Sequence, residues 1–114
     1  MKRRWRDYRT RAGRRPVKEF MAALSDEDAA EVVAAMKDVA VLGLRAARHV
    51  AGDIYEVRAE GKDQSFRILF AQEGARGQVL LAVDGFSKKT RRTPPAKVRL
   101  AQERLADWRR RGAE

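Results

Sequence analysis

Three short apolar runs between residues 53 and 84, parted by glycine-containing breaks, restrict what this chain can fold into more than any other feature. In Asp53-Ile-Tyr-Glu-Val-Arg-Ala59, Tyr55, Val57 and Ala59 alternate with Glu56 and Arg58. That is the period of a strand with one face turned to a core. Ser65-Phe-Arg-Ile-Leu-Phe-Ala71 repeats it, with Phe66, Ile68 and Phe70 on one face and Ser65, Arg67 and Leu69 on the other. The third run, Gln78–Asp84, contains the apolar block Val79-Leu-Leu-Ala-Val83 and reads as a buried strand. Glu60-Gly61-Lys62-Asp63 and Glu73-Gly-Ala-Arg-Gly77 are the turns, with glycine supplying the special backbone. Two such hairpins make an antiparallel meander.

The segments on either side are helical. Pro16 suits a first helical turn, and Val17, Phe20, Met21 and Leu24 follow at helical spacing, which predicts a helix over 16–24. Ser25 ahead of Asp26, Glu27 and Asp28 is a capping signal. Ala29, Val32, Val33, Met36, Val39, Ala40 and Val41 or Leu42 then form a broad apolar stripe that Gly43 ends, predicting a second helix over 26–42. Its other face carries Asp28, Glu31 and Asp38. Residues 44–52 read as a basic connection that holds His49. From Pro94 to about Arg111 a last helix is expected, with Val98, Ala101, Leu105 and Trp108 on one face. Trp5–Thr10 reads as a short first strand. The expected fold class is α+β: one domain over 1–114, two N-terminal helices packed on a small antiparallel sheet of about four strands, and a C-terminal helix.

Charge narrows the partners. The 114 residues carry a net charge of +10, and 37% are charged. Residues 1–19 hold nine Lys/Arg against two acids and residues 86–114 ten against three, while residues 20–85 hold seven against eleven. Two basic ends flank a mildly acidic middle, so an anionic partner is the default expectation. The absence of cysteine excludes disulfides, thiol catalysis and thiolate zinc sites, and a single histidine makes no metal site. No apolar run is long enough to span a membrane, and the basic N-terminus lacks the apolar core of a secretory signal. A cytoplasmic protein without membrane contact is expected.

The chemistry concentrates in Phe86-Ser-Lys-Lys-Thr-Arg-Arg-Thr-Pro-Pro95. Lys88, Lys89, Arg91 and Arg92 fall where a strand ends and a helix begins, and Thr90 and Thr93 add hydroxyls suited to phosphate oxygens. A solvated basic loop would account for the composition. Arg58 and Arg67, on the strand faces turned from the expected core, would instead join Lys88 and Lys89 in a cluster. RNA cleavage without metal or cofactor needs little more than such a cluster when the geometry comes from elsewhere. The substrate's 2′-OH attacks the adjacent phosphate, arginine forks stabilise the developing charge, and a lysine crowded by cations moves a proton.

Tyr55-Glu56-Val57-Arg58, Phe66-Arg67-Ile68 and Phe86-Ser87-Lys88-Lys89-Thr90, reached backward through Pro16-Val17-x-x-Phe20, resemble the HigB-like toxins of the RelE/ParE superfamily. The resemblance covers most of the chain. It implies a RelE-like fold and a ribosome-dependent mRNA endoribonuclease that is neutralised by a cognate helix-turn-helix antitoxin, HigA-like. The positions that match are Arg58, Arg67, Lys88 and Lys89 for catalysis; Lys62, Thr90, Arg91 and Arg92 are the basic and hydroxyl residues expected to bind RNA beside them. Some family members use His, Asp or Tyr near the C-terminal end of the site. This chain has no histidine there, which leaves Asp84 and Trp108 as substitutes, Asp84 better suited to an ion pair and Trp108 to the core. The lone His49 is at most an accessory base. Two other functions fit the same sequence: a ParE-like gyrase inhibitor on the same fold, or a non-catalytic basic protein that binds RNA or the ribosome.

Overall fold

A computed structural model describes residues 3–88 and 92–112. The chain runs β1 (Arg4–Asp7), α1 (Pro16–Ala22), α2 (Asp26–Leu42), a 3₁₀ turn, β2 (Arg48–Ala51), β3 (Ile54–Glu60), β4 (Ser65–Glu73), β5 (Val79–Lys88) and α3 (Pro95–Arg110). The strands form one sheet in the order β1-β5-β4-β3-β2. β2 through β5 pair antiparallel, and β1 lies parallel to β5 with Arg4 opposite Val79 and Asp7 opposite Ala82.

The sheet therefore has five strands and is mixed, not the antiparallel four expected. The added strand is β2, within the segment read as a basic connection. Its four residues pair with β3, Arg48 opposite Glu56 and His49 opposite Tyr55. So short an edge strand leaves too few residues for any period to show. Helix α1 ends at Ala22, two residues early, whereas α2 matches its expected span. Val33, Val41 and Leu42 of the expected α2 stripe are nevertheless exposed, because the sheet covers a narrower face centred on Val32 and Val39. The Ser25 hydroxyl accepts from the Asp28 amide at 3.1 Å, and Gly43 ends α2 at a φ of 72°, which only glycine adopts at little cost.

Helices cover both faces of the sheet. On one, Val17 of α1 and Val32 and Val39 of α2 pack with Val57, Phe66, Ile68, Phe70, Leu80 and Ala82. Met21 and Met36 lie against this cluster as core side chains. On the other, Ala101, Leu105 and Trp108 of α3 pack with Tyr8, Ile54, Leu69, Leu81 and Val83. Phe66 through Ala71 are consequently all buried, as in a central strand with a layer on each side. The face that carries Arg67 was expected to look outward. It lies beneath α3 instead.

Two details set the path of β5. Gly85 stands where α1 crosses: a Cβ there would lie 2.5 Å from Phe20 Cδ2 and 3.1 Å from Ile68 Cδ1. A bulge between Leu69 and Phe70 in the β4 register leaves Val83 as the additional residue of β5. Its carbonyl accepts from Arg104 Nη1 at 2.8 Å, so α3 satisfies a group the bulge withdraws from the ladder. No helix among the described residues is long and apolar enough to cross a membrane.

Candidate active site

Pairing and alternation assemble the polar cluster. Arg58 of β3 stands opposite Arg67 of β4, which stands opposite Phe86 of β5; one row on, Glu60, Ser65 and Lys88 are aligned, and one row back, Glu56, Leu69 and Asp84. Residues opposite one another share a face. Arg58, Arg67 and Lys88 thus lie on the α3 side, beyond the apolar contact that α3 itself makes.

Glu56 is the centre of this cluster. It is 1% exposed. One carboxylate oxygen takes the Arg58 Nε–H at 2.9 Å, and the other takes the Thr93 hydroxyl at 2.5 Å. Arg67, fully buried, donates from Nη1 to the same Thr93 oxygen at 3.3 Å. Two like charges directly opposite repel, and the buried carboxylate offsets that. Burial lowers the Arg67 pKa, Arg58 lowers it further, and Glu56 acts in the opposite direction. A guanidinium nevertheless remains a cation at neutral pH.

A cleft of about 410 Å³ opens beside this cluster, between β2 and the start of α3. Glu56 and Thr93 reach its wall, and Arg48, Arg92, Arg99 and His49 line the rest. The net field in the opening is positive: three arginines against one carboxylate already engaged by Arg58. His49 is exposed on β2, its Nε2 held 2.8 Å from the Gly52 carbonyl and its ring edge-on to Tyr55 at 5.1 Å.

The expected site residues therefore separate. Arg58 and Lys88 are half-buried on the sheet face, Lys88 as the last residue of β5 rather than on a connecting loop. Arg67 is inside the protein. Arg92 is exposed at the cleft, and Lys62 is exposed in the β3–β4 turn. Lys89, Thr90 and Arg91 lie outside the described residues. Asp84 is buried and pairs with Arg104 at 3.2 Å and Lys97 at 3.5 Å, and Trp108 is buried against the sheet. Asp84 is thus held in ion pairs and Trp108 in the core. Sequence reasoning gave no role to Arg48 and Arg99, and it placed Thr93 toward a phosphate when its hydroxyl turns inward to Glu56. The signal for Glu56 was present in the Tyr-Glu-Val-Arg run, where a carboxylate occupies a face that the pairing buries.

A family model described as "Phage derived protein Gp49-like (DUF891)" matches residues 19–106, from within α1 to within α3. The chain belongs to this Gp49-like family. The match spans β3, β4, β5 and the start of α3, and so includes Glu56, Arg58, Arg67, Lys88 and Thr93. Within curated proteins, this Gp49-like chain is similar to "Probable endoribonuclease HigB1" of Mycobacterium tuberculosis, in strains CDC 1551 / Oshkosh and ATCC 25618 / H37Rv. Each is 33% identical over 110 residues, covering 93% of this chain and 85% of the relative. The likeness to HigB1 thus covers more of the chain than the family match over residues 19–106.

Proposed function

We propose that this Gp49-like protein is the toxin of a toxin–antitoxin pair, an endoribonuclease of the RelE/ParE superfamily that cleaves mRNA on the ribosome in the cytoplasm. The observation that carries this reading is similarity over 93% of the chain to a relative named for endoribonuclease activity, beside a cleft lined by Arg48, Arg92 and Arg99. Cleavage proceeds through the substrate's 2′-OH, without metal or cofactor. Oxygen attack closes a cyclic phosphate and expels the 5′-oxygen, so the protein has to bind the phosphate, stabilise its charge and pass protons. Arg58 and Lys88, with Lys89, take the phosphate; Arg92, Lys62, Thr90 and Arg91 hold the flanking strand, joined by Arg48 and Arg99. Arg67 acts differently from those: buried on Thr93, it positions Glu56 and hence Arg58. A HigA-like antitoxin neutralises the protein.

Induced expression in a bacterial host, with mapping of new mRNA 5′ ends, tests the reading. New ends inside translated codons, missing with Arg58→Ala, are expected. Growth arrest with intact mRNA and altered DNA supercoiling would replace it with gyrase inhibition. Intact mRNA and normal growth would leave a basic binding protein.

A further inference from the structure

A larger basic cleft lies at the other edge of the sheet. It measures about 660 Å³ and opens between β1, the segment that follows it, and the C-terminal end of α3. Arg6, Arg9, Arg11, Arg15 and Arg111 line it, with Trp5 among the apolar contributors. It shares no lining residue with the cleft beside Glu56. β1 and β2 are opposite edges of the sheet.

The five arginines differ in what holds them. Arg15 is tied to Asp7, with Nε at 2.9 Å from Oδ2. Arg111 donates to Asp107 at 2.7 Å and to the Arg9 carbonyl, and its guanidinium lies 5.4 Å from the Tyr8 ring centre. These two make a fixed wall. Arg11 reaches Asp107 only at 3.8 Å and is 77% exposed, and Arg6 and Arg9 are exposed cations. By strand alternation Arg4 projects to the same side of β1 as Arg6. The opening therefore presents cations spaced two or three residues apart along one segment, beside Arg15 and Arg111, which are tied to Asp7 and Asp107. Such a row suits a line of anions at regular spacing better than one small anion. Arginine forks also match phosphate geometry.

We propose that this cleft docks the sugar–phosphate backbone of folded, double-helical RNA, apart from the cleft beside Glu56. The choice of RNA rests on the endoribonuclease reading; the existence of an anion-binding groove does not. Backbone contacts position without reading sequence, so the groove would fix how the protein sits on structured RNA while the other cleft handles a single strand.

The test uses the full-length protein and a 16-base-pair RNA duplex with no single-stranded ends. Affinity is measured by fluorescence anisotropy across a salt series for wild type, Arg6→Ala/Arg9→Ala/Arg11→Ala, and Arg48→Ala/Arg92→Ala. The triple variant is expected to lose at least about tenfold in affinity and to lower the salt slope by roughly two to three. The double variant should lose no more than about threefold, and melting temperatures of all three should agree. Unchanged duplex binding by the triple variant would overturn the proposal, as would an equal loss in the double variant. Loss of binding to a purified acidic antitoxin, with duplex binding unaltered, would assign the groove to a protein instead. If wild type cleaves no mRNA in cells yet the triple variant alone loses duplex binding, the nuclease reading fails and the groove stands.

Discussion

The Thr93 hydroxyl donates to the buried Glu56 carboxylate at 2.5 Å, joining the segment ahead of α3 to the middle of β3, 37 residues earlier. One side chain therefore fastens the end of the basic connection to the sheet, and at the same oxygen receives Arg67.

Replacing that hydroxyl should loosen the connection before it unfolds the protein. Thr93→Val keeps the shape and removes both hydrogen bonds, leaving one Glu56 oxygen without its donor. A loss of about 1–3 kcal/mol is expected in urea denaturation. Faster amide exchange should be confined to the start of α3. Unaltered exchange there would show that the contact does not hold the segment.

Arg67 illustrates why activity alone is a poor assay of this site. Its removal takes the Nη1 donor from Thr93 and a nearby cation from the buried Glu56, and a lost hydrogen bond from a charged group costs about 1.5–3 kcal/mol. Arg67→Met should therefore be much less stable, and its lost activity would say little about contact with RNA. Glu56→Gln/Arg67→Met should lose less than the sum of its single variants. Strict additivity would mean the two groups do not act as a unit.

Arg58, by contrast, has 27% of its side chain exposed. Arg58→Ala is expected to reduce mRNA cleavage by about a hundredfold, in the range seen for loss of one charge-stabilising donor. Arg58→Lys should recover only part of this, since an ammonium lacks the guanidinium fork. Equal activity of Arg58→Lys and wild type would mean that only the charge matters.

Gly85 tests the packing of α1 on β5. With 2.5 Å between the added Cβ and the Phe20 ring, Gly85→Ala must displace one of them. Overpacking of this kind costs about 1–3 kcal/mol. Phe20→Leu should recover part of that in the double variant and none in the wild-type background. The absence of coupling would place the strain elsewhere.

Asp107 sets an acid limit on stability. The Tyr8 hydroxyl donates to it at 2.6 Å and Arg111 at 2.7 Å, and together they hold its carboxyl below the usual value. Glu19, bonded by Arg14, shifts the same way. The folded state thus binds these protons more weakly than the unfolded chain does. Their contribution is complete above the ordinary carboxylate pKa of about 4 and is lost as pH falls through the folded-state values. Melting temperature should drop between about pH 4 and pH 2, and Asp107→Asn should drop less steeply than wild type. An identical acid profile would remove Asp107 from the account.

Much of the fold was legible in local patterns. Helix α2 matched from end to end because its cap, its stripe and its glycine stop agree with one another. The meander was readable from alternation and turn glycines. β2 was not, because Arg48–Ala51 is strand only through its pairing with β3. Nor was the parallel placement of β1, which depends on Trp5 and Tyr8 entering cores on opposite faces of the sheet. At the candidate site, Arg58, Arg67 and Lys88 were singled out by their place in a pattern, but alternation reports which face a side chain takes and not what covers it.

The sequence by itself determined the α+β class, the helix spans to within two residues, the strong positive charge and the set of basic side chains on one sheet face. Those follow from local periodicity and composition, which act over a few residues. Only the tertiary structure decided that α3 covers that face, that Arg67 is interior while Arg58 is partly open, and that Glu56 and Thr93 bind them together. It also divided the positive charge between two clefts at opposite sheet edges. These outcomes depend on contacts between residues tens of positions apart, whose energies no single segment contains.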